Sequence, residues 1–365
     1  MRPITKPPAN ALYKLPKSLV FAGGNAALLQ KTAGITLASA NYSIGLSDAL
    51  DLLLEDAQGN RLRHLNGNEQ TTLVKGLMNQ VTNVYKTAAA PLTQDLGAFC
   101  SYCGSDLPGL IEVEHTVPKA PYPKFATDWD CFLLSCGPCN TSKSNAPSRA
   151  DVIKATHLSA PTERDLYDLI RKKRYVWPDL DPTCWVDLPV QLEYFDTTLS
   201  DWVSLAAADA MNLGNTLIAY DVINHKVLAD VSVGGVMTSN VQVAVKVRDT
   251  AGKLWTTEMI DLMQFNEDVV KPTTGTYDRR QMNRTRAWFS ALAACNLLKS
   301  ATDQFGFDLL WQQIPMMGAS SGFYSVWVTV LERFKDFNHT NLATRFVAET
   351  NVPLYYPNTC TSDLP

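Results

Sequence analysis

Hydrophobic residues recur along this chain at two spacings, and each spacing predicts a different element. Four apolar residues at helical spacing predict a helix ahead of residue 85: Leu73, Leu77, Val81 and Val84. The same spacing predicts a shorter helix over 162–177 and a long amphipathic helix over 278–300. The segment 321–334 is rich in β-branched residues and is predicted to be either a buried strand or a helix.

A spacing of two predicts strands elsewhere. Apolar and polar residues alternate between about 215 and 262, with a turn predicted at 250–252, and this pattern indicates a small antiparallel sheet. Four valines fall on one face of it: Val241, Val243, Val245 and Val247. The segment 49–65 indicates a strand or a short helix, interrupted by a turn at 58–60. The Pro- and Lys-rich residues 1–17 are predicted to run extended over the surface.

Composition narrows the class of protein. A chain of 365 residues with 46% hydrophobic content can bury a sizeable core and is long enough for more than one domain. A net charge of −4 excludes a globally basic nucleic-acid binder, so contact with a polyanion needs a local basic patch or a bound cation. No apolar run approaches the roughly 20 residues that span a bilayer, and no clean signal sequence is evident, so we expect a cytoplasmic protein without membrane contact.

Two cysteine pairs give the strongest chemical signal. Cys100 and Cys103 form one CxxC motif, and Cys136 and Cys139 form another. Four thiolates in this arrangement suit a structural zinc ion, which they would enclose without leaving an open coordination position. Two local disulfides, or four unrelated core cysteines, are the alternative interpretations. The remaining cysteines are expected to be core or surface thiols: Cys131, Cys184, Cys295 and Cys360.

A histidine beside two carboxylates lies between the two cysteine pairs. Glu112 and Glu114 would share one face of a strand and His115 the other, unless a turn begins at His115, as Pro118 suggests. A carboxylate and an imidazole at a strand end can divide labour, because one binds a cation while the other removes a proton from water. Taken alone, such a pair is more often an exposed strand end than a catalytic dyad.

The combination resembles the HNH endonuclease family, which has a ββα-metal fold. The pieces that carry the resemblance span residues 100–143 in the family's order: Cys100–Cys103, Glu114-His115, Pro118-Lys119, the apolar run 132–134, Cys136–Cys139, Asn140 and Lys143. The resemblance implies an α+β fold. We expect N-terminal helices packed on a zinc-stabilised ββα-metal core, followed by a C-terminal region of mixed antiparallel sheet and helices. The expected domains are an N-terminal extension over 1–96, the core over 97–175 and a C-terminal domain over 176–365.

The resemblance also implies roles for individual residues. His115 corresponds to the general base that activates water, and Glu114 and Asn140 correspond to the ligands of one catalytic Mg²⁺ or Mn²⁺. Carboxylate and amide oxygens suit such a hard cation, whereas the thiolates suit zinc. Glu112 and Lys143 are expected to support this site, Glu112 by orienting a partner or approaching the cation, or else as a solvated strand residue.

Two positions depart from the family pattern. Glu114 stands where an Asp is usual and is one methylene longer. Cys131 stands where the Asn that braces the loop bearing the histidine is usual, and a thiol makes hydrogen bonds only weakly. Activity is then either reduced or absent, or it is preserved because another residue, such as Asp128 or Asp130, braces the loop.

Looser similarities extend beyond this core to the HNH proteins of bacterial anti-phage defence, in particular the nuclease subunit of Septu-type and retron-associated systems. This wider resemblance implies an ABC-type or SMC-like ATPase partner. Two alternatives stay open for residues 176–365: a domain that binds a cyclic nucleotide second messenger, and a scaffold. Homo-oligomerisation is also compatible with the sequence.

Basic residues supply candidate contacts to DNA. They comprise Lys119, Lys143 and a cluster that follows the core: Arg171, Lys172, Lys173 and Arg174. A solvated helix end is the alternative for the cluster. Arg280 and Arg284 share one face of the predicted helix over 278–300, where they would bind DNA or the protein's own acidic surface. The sequence thus predicts a metal-dependent HNH endonuclease acting on DNA, or else a catalytically impaired zinc-fold subunit that binds DNA or serves as a scaffold.

Overall fold

The computed structural model is a mixed α and β protein with three antiparallel sheets among its described residues. The structure describes residues 4, 6–8, 19–21, 42–46, 52–55, 61–64, 85–109, 111–119, 125, 128–156, 163–175, 177–179, 190–206, 210, 218–221, 226–229, 239–246, 253–267, 278–351 and 355–358. None of the helices in these ranges has the length and apolar character needed to cross a bilayer.

The N-terminal region contains a sheet that the sequence pattern only half predicted. Its four strands follow the chain in antiparallel order: β1 (Leu19–Phe21), β2 (Tyr42–Leu46), β3 (Leu52–Glu55) and β4 (Arg61–His64). The described residues of the segment 49–65 therefore form strands and not a helix. The helix predicted over 73–84 and the turn at 58–60 lie outside the described residues. Helix α1 (Ala89–Leu96) follows and buries Leu92 and Leu96. We expected several helices in this N-terminal region. Among the described residues ahead of residue 97, α1 is the one complete helix.

A strand pair followed by a helix lies at the centre of the chain. Strand β5 (Glu112–His115) pairs antiparallel with β6 (Phe132–Ser135), and helix α2 (Gly137–Lys143) begins directly after β6. All four residues of β6 are buried, as its apolar sequence requires. Cys136 is the N-cap of helix α2, and its Sγ accepts the backbone N–H of Cys139 at 3.5 Å. These elements bring both cysteine pairs and the histidine into one small unit.

Short helices connect this unit to the C-terminal region. Helix α3 (Arg149–Thr156) is followed by α4 (Glu163–Asp168), which continues into a π-helical segment, Leu169–Arg174. The helix predicted over 162–177 is confirmed in its middle, although Thr162 lies outside the described residues. The wider π-helical turn places Ile170 and Arg171 in the interior.

A five-stranded antiparallel sheet dominates the C-terminal region. Its strands are β7 (Val190–Asp196), β8 (Asp201–Ser204), β9 (Ile218–Asp221), β10 (Lys226–Ala229) and β11 (Ser239–Val245), in the order β8-β7-β11-β10-β9. The predicted strands within 215–245 are confirmed, and the sequence pattern missed β7 and β8. The predicted continuation to 262 is wrong, because α5 (Lys253–Met263) is helical. Its buried residues Met259, Ile260 and Met263 recur at helical spacing.

Five helices complete the chain: α6 (Arg280–Lys299), α7 (Gln304–Trp311), α8 (Ile314–Ser321), α9 (Tyr324–Leu331) and α10 (Leu342–Thr350). The long helix predicted over 278–300 is therefore confirmed as α6, which packs on β11 and α9. The ambiguous segment 321–334 is a helix, α9, and seven of its eight residues are buried: Tyr324, Ser325, Val326, Trp327, Val328, Val330 and Leu331.

The central unit and the C-terminal region contribute to one core, and the expected domain bounds stay a prediction. Their buried apolar side chains form a continuous cluster. The backbone N–H of Phe323 donates to the Gly104 carbonyl at 2.6 Å, next to the first cysteine pair. A Cβ on Gly322 would lie 2.6 Å from that carbonyl oxygen, so only glycine allows this approach. Residues on the two sides of the boundary expected near residue 175 therefore pack closely against each other.

Candidate metal centre and active site

The four cysteines of the two CxxC motifs converge at one buried point. The Sγ atoms of Cys100, Cys103, Cys136 and Cys139 all lie within 4.8 Å of one another, and all four residues are buried. Cys103 and Cys136 come as close as 3.7 Å between their Sγ atoms. Four sulfurs in this arrangement can hold a metal ion such as zinc, in a closed site that leaves no position for substrate.

Two buried arginines from helix α6 lie beside the cysteine cluster. Arg280 donates from Nη1 to the Cys139 Sγ at 3.2 Å, and Arg284 donates to the backbone carbonyls of Val243 at 2.6 Å and Phe265 at 3.0 Å. A zinc ion held by four thiolates carries a net charge of about −2. Buried guanidinium groups beside it offset that charge, so this environment fits an anionic metal–thiolate cluster.

The pKa values of these arginines reflect the same surroundings. Burial lowers the pKa of Arg284 to about 10. Burial opposes protonation of Arg280 as well, but the Cys139 sulfur and Asp278 outweigh it and raise the pKa above its ordinary value. The DNA contact is therefore wrong at both positions, since only 4% of Arg280 and 2% of Arg284 are exposed, whereas the alternative of pairing with the protein's own acidic groups is met at Arg280 by Asp278.

An open cavity of about 590 Å³ lies where β5 meets helix α2. Its lining includes these polar residues: Glu112, Glu114, His115, Lys119 and Asn140. The hairpin of β5 and β6 supplies the first three, and the helix that begins at the second cysteine pair supplies Asn140. The cysteine cluster therefore fixes the helix bearing Asn140 against the strand bearing His115.

The imidazole of His115 is held between two aromatic rings. The centroid of the Tyr85 ring lies 4.7 Å away and that of Phe132 lies 5.0 Å away, both nearly perpendicular to the imidazole. Edge-to-face contacts of this kind fix the plane of the ring. His115 is 5% exposed and is one of the residues that line the cavity.

Glu112 and Asn140 meet at the same cavity. The Asn140 side-chain Nδ2 donates to Glu112 Oε2 in a short hydrogen bond. This contact joins a carboxylate and a carboxamide across the β5–α2 junction, and both groups carry oxygen atoms of the type that Mg²⁺ prefers. Apart from the cysteine cluster, no group of three or more His, Cys, Asp or Glu ligands converges among the described residues.

Glu114 has a different environment from the one expected for a metal ligand. Its Oε1 lies 2.8 Å from Lys143 Nζ, and its Oε2 accepts the Tyr102 hydroxyl in a very short hydrogen bond. Lys143 also donates to the His115 carbonyl at 2.6 Å. Both carboxylate oxygens are thus engaged inside the protein, and the pair is buried. Lys143 is fully buried, so its predicted contact with DNA is wrong.

The other basic residues divide between interior and surface. Arg171 forms a bidentate pair with Asp179, at 3.1 and 2.9 Å, and is buried, so the expected DNA contact is wrong for this residue too. Lys172 is exposed and pairs with Asp168 at 3.0 Å. Lys173 and Arg174 belong to the π-helical segment, and only their backbone is described. Lys119 lies at the cavity and donates to the Tyr85 hydroxyl at 2.8 Å.

Cys131 lies directly ahead of β6 and takes part in several hydrogen bonds. Its carbonyl accepts the N–H of Thr116 at 2.8 Å and the Thr116 hydroxyl at 3.1 Å. Its thiol donates to Asp128 Oδ2 over 3.7 Å. Burial, with Asp128 second, raises the pKa of the Cys131 thiol above its ordinary value, so it stays a neutral donor. Asp128 therefore contributes to the brace that the sequence led us to expect.

Four residues of this region have structural roles that the sequence analysis missed or misplaced: Lys6, Tyr85, Tyr102 and Arg280. Each lies far along the chain from its partner or on a differently predicted element, so the local pattern carries no signal for it.

Comparison with models of known protein families, with curated proteins and with solved structures finds no match to this chain.

Proposed function

We propose that this protein is a metal-dependent endonuclease of the HNH type that hydrolyses phosphodiester bonds in DNA. The observation that carries the proposal is the convergence of His115, Glu112 and Asn140 on one open cavity. They belong to an antiparallel strand pair followed by a helix, and the four-cysteine cluster joins these elements. This order of strands and helix, together with the cysteine cluster, supports the proposal.

His115 acts as the general base in this proposal. The rings of Tyr85 and Phe132 pack against its imidazole, and His115 lines the cavity, so in this proposal it takes a proton from a water molecule placed there. Lys119, at the same cavity, contributes positive charge for a phosphate of the substrate. Local charge of this kind is required, because the whole chain carries a net charge of −4.

Glu112 and Asn140 are the residues that we propose would hold the catalytic cation. A bound Mg²⁺ or Mn²⁺ would stabilise negative charge on the scissile phosphate and on the leaving oxygen. One carboxylate and one amide suffice for Mg²⁺, which usually keeps several waters and uses substrate phosphates as further ligands. Glu112 replaces Glu114 in this assignment, because Lys143 and Tyr102 occupy both oxygens of Glu114.

A matched pair of histidine variants tests the proposal. His115→Asn removes the base, whereas His339→Asn makes the same change at an exposed histidine outside the cavity. We expect His115→Asn to lower single-turnover cleavage of a DNA duplex in Mg²⁺ by about 100-fold or more. His339→Asn is expected to cleave at the wild-type rate. Equal cleavage by the two variants would contradict the role of His115.

A second candidate function is a zinc-fold subunit that binds DNA without cutting it. The buried Glu114–Lys143 pair favours it, because the carboxylate next to His115 is neutralised inside the protein. Retained DNA binding without any metal-dependent cleavage would support this candidate over the first. The ATPase partner, the nucleotide messenger, the self-association and the role in anti-phage defence stay predictions from the sequence.

A further inference from the structure

The N-terminal segment is built into the central unit instead of lying over the surface. The backbone N–H of Ile4 donates to the Pro178 carbonyl at 2.8 Å. Three residues later, the Pro7 carbonyl accepts the Trp129 indole N–H at 2.9 Å. These bonds fix the described part of the segment at two points, with Lys6 between them. The predicted surface path is therefore wrong for Ile4 and for the side chain of Lys6, which are buried.

Lys6 extends from this segment into the loop that precedes β6. Its Nζ donates to the backbone carbonyls of Trp129 at 2.7 Å and Phe132 at 3.0 Å, and lies 3.4 Å from Asp179 Oδ2. An ammonium group has three donors, and these three partners can take all of them. The Lys6 side chain is only 6% exposed, so these bonds form away from water, where they are strong.

The two carbonyls that Lys6 binds lie on either side of Cys131. This is the position at which HNH endonucleases carry the Asn that braces the loop. The thiol of Cys131 replaces that brace with only a weak hydrogen bond over 3.7 Å. Lys6 supplies a charged donor to the same stretch of backbone from a different part of the chain, and Arg171 holds Asp179 in place behind it.

The loop that Lys6 binds contacts His115 and the residue that follows it. Cys131 accepts the backbone N–H of Thr116, the residue that follows His115. Phe132 lies opposite His115 in the strand pair, and its ring packs edge-on against the imidazole at 5.0 Å. A shift of residues 129–132 would therefore move both the backbone and the ring that orient His115.

We propose that Lys6 is a positioning residue that does the work of the missing asparagine: it braces residues 129–132 and thereby holds His115 in place for proton transfer. The inference rests on the proposed function for its effect on cleavage, and on the geometry alone for its effect on the loop. It explains how Cys131 can stand at this position without disabling the site.

The test compares Lys6→Met with Lys226→Met, which removes an exposed lysine from strand β10. Cleavage is measured as kcat and KM, and hydrogen exchange is measured for peptides covering 111–119 and 128–135. We expect Lys6→Met to lower kcat roughly 10- to 100-fold without raising KM, because a small misplacement of a catalytic group has an effect of that size. We also expect it to speed exchange in both peptides while zinc content is retained.

A second substitution separates bracing from a general loss of stability. Cys131→Asn alone should change kcat less than about threefold, because Lys6 already braces the loop, but it should restore much of the loss in Lys6→Met. If Lys6→Met does not fold, Lys6→Gln, which keeps one donor group, replaces it and is expected to show an intermediate kcat and intermediate exchange.

Three outcomes would overturn the proposal. They are unchanged exchange in the folded Lys6 variant, unchanged kcat in an active enzyme, and a large gain in kcat from Cys131→Asn in the wild-type background. If the wild-type protein does not cut DNA, the proposed function fails, whereas the exchange measurement still decides whether Lys6 braces the loop.

Discussion

The buried pair of Glu114 and Lys143 gives a prediction whose size follows from the structure. Lys143→Met keeps most of the length of the side chain and removes its charge. The Glu114 carboxylate would then keep its hydrogen bond from the Tyr102 hydroxyl but lose its ion pair, and the His115 carbonyl would lose the donor now at 2.6 Å. Only 3% of Glu114 and none of Lys143 is exposed, so little water can replace the lost partner, even though Glu114 lines the cavity.

For these reasons, we expect Lys143→Met to lower the free energy of unfolding by a large amount. Removing one member of a buried ion pair destabilises a protein by about 3–5 kcal/mol, because an uncompensated charge remains inside. Glu114→Gln removes that charge while keeping an oxygen for Tyr102. The double variant should therefore be more stable than the sum of the single changes predicts, by about 2–3 kcal/mol.

A urea titration followed by tryptophan fluorescence measures these differences in the free energy of unfolding. Lys172→Met is the matched control, because Lys172 pairs with Asp168 at 3.0 Å on the surface, with 55% of the lysine side chain exposed. A surface pair of this kind contributes about 0.5 kcal/mol or less. A loss in Lys143→Met no larger than that in Lys172→Met would refute the burial of the pair, and with it our reason for replacing Glu114 by Glu112 as the proposed ligand.

Further predictions concern the metal sites and acid stability. Cys136→Ser should abolish binding of one zinc ion per chain in elemental analysis, and Arg280→Met should speed zinc loss to a chelator, because the thiolates lose a buried positive neighbour. Glu112→Gln should raise the Mg²⁺ concentration needed for half-maximal cleavage at least about tenfold, without lowering zinc content. Burial alone would raise the pKa of Asp179, but Arg171 and Lys6 hold it below its ordinary value. The stability that Asp179 contributes should therefore be complete above about pH 4 and fall as the pH drops through the lowered pKa, so Asp179→Asn should flatten the acid limb of a stability–pH curve.

The features of the site that could be predicted are those whose signal is local in sequence. The CxxC spacing predicts that four sulfurs share one site, and the sulfur atoms do lie together. The apolar run 132–134, one of the pieces that carry the resemblance, lies in β6, which is buried throughout. Alternation also predicted the strands within 215–245, because one face of that sheet packs in the core.

The predictions that failed concern residues whose partners lie far away in the sequence. The sequence of helix α6 predicts a basic surface, because the cysteine sulfurs beside its arginines belong to residues 100–139 and are not visible in the local pattern. Glu112 and Glu114 are equivalent by alternation, and only the buried Lys143 from the following helix separates their roles. Lys6 gave no signal at all, since its partners are backbone carbonyls more than a hundred residues away in the chain.

Metal-dependent nicking of a supercoiled plasmid is the most direct test of the central claim. The zinc-loaded wild-type protein is incubated with the plasmid in Mg²⁺ or Mn²⁺, and in parallel with EDTA, and the conversion to open-circular and linear forms is followed on a gel. The account predicts conversion with the added cation and none with EDTA, with activity declining as salt is raised. Equal conversion in EDTA, or no conversion by the folded, zinc-loaded protein with either cation, would contradict it.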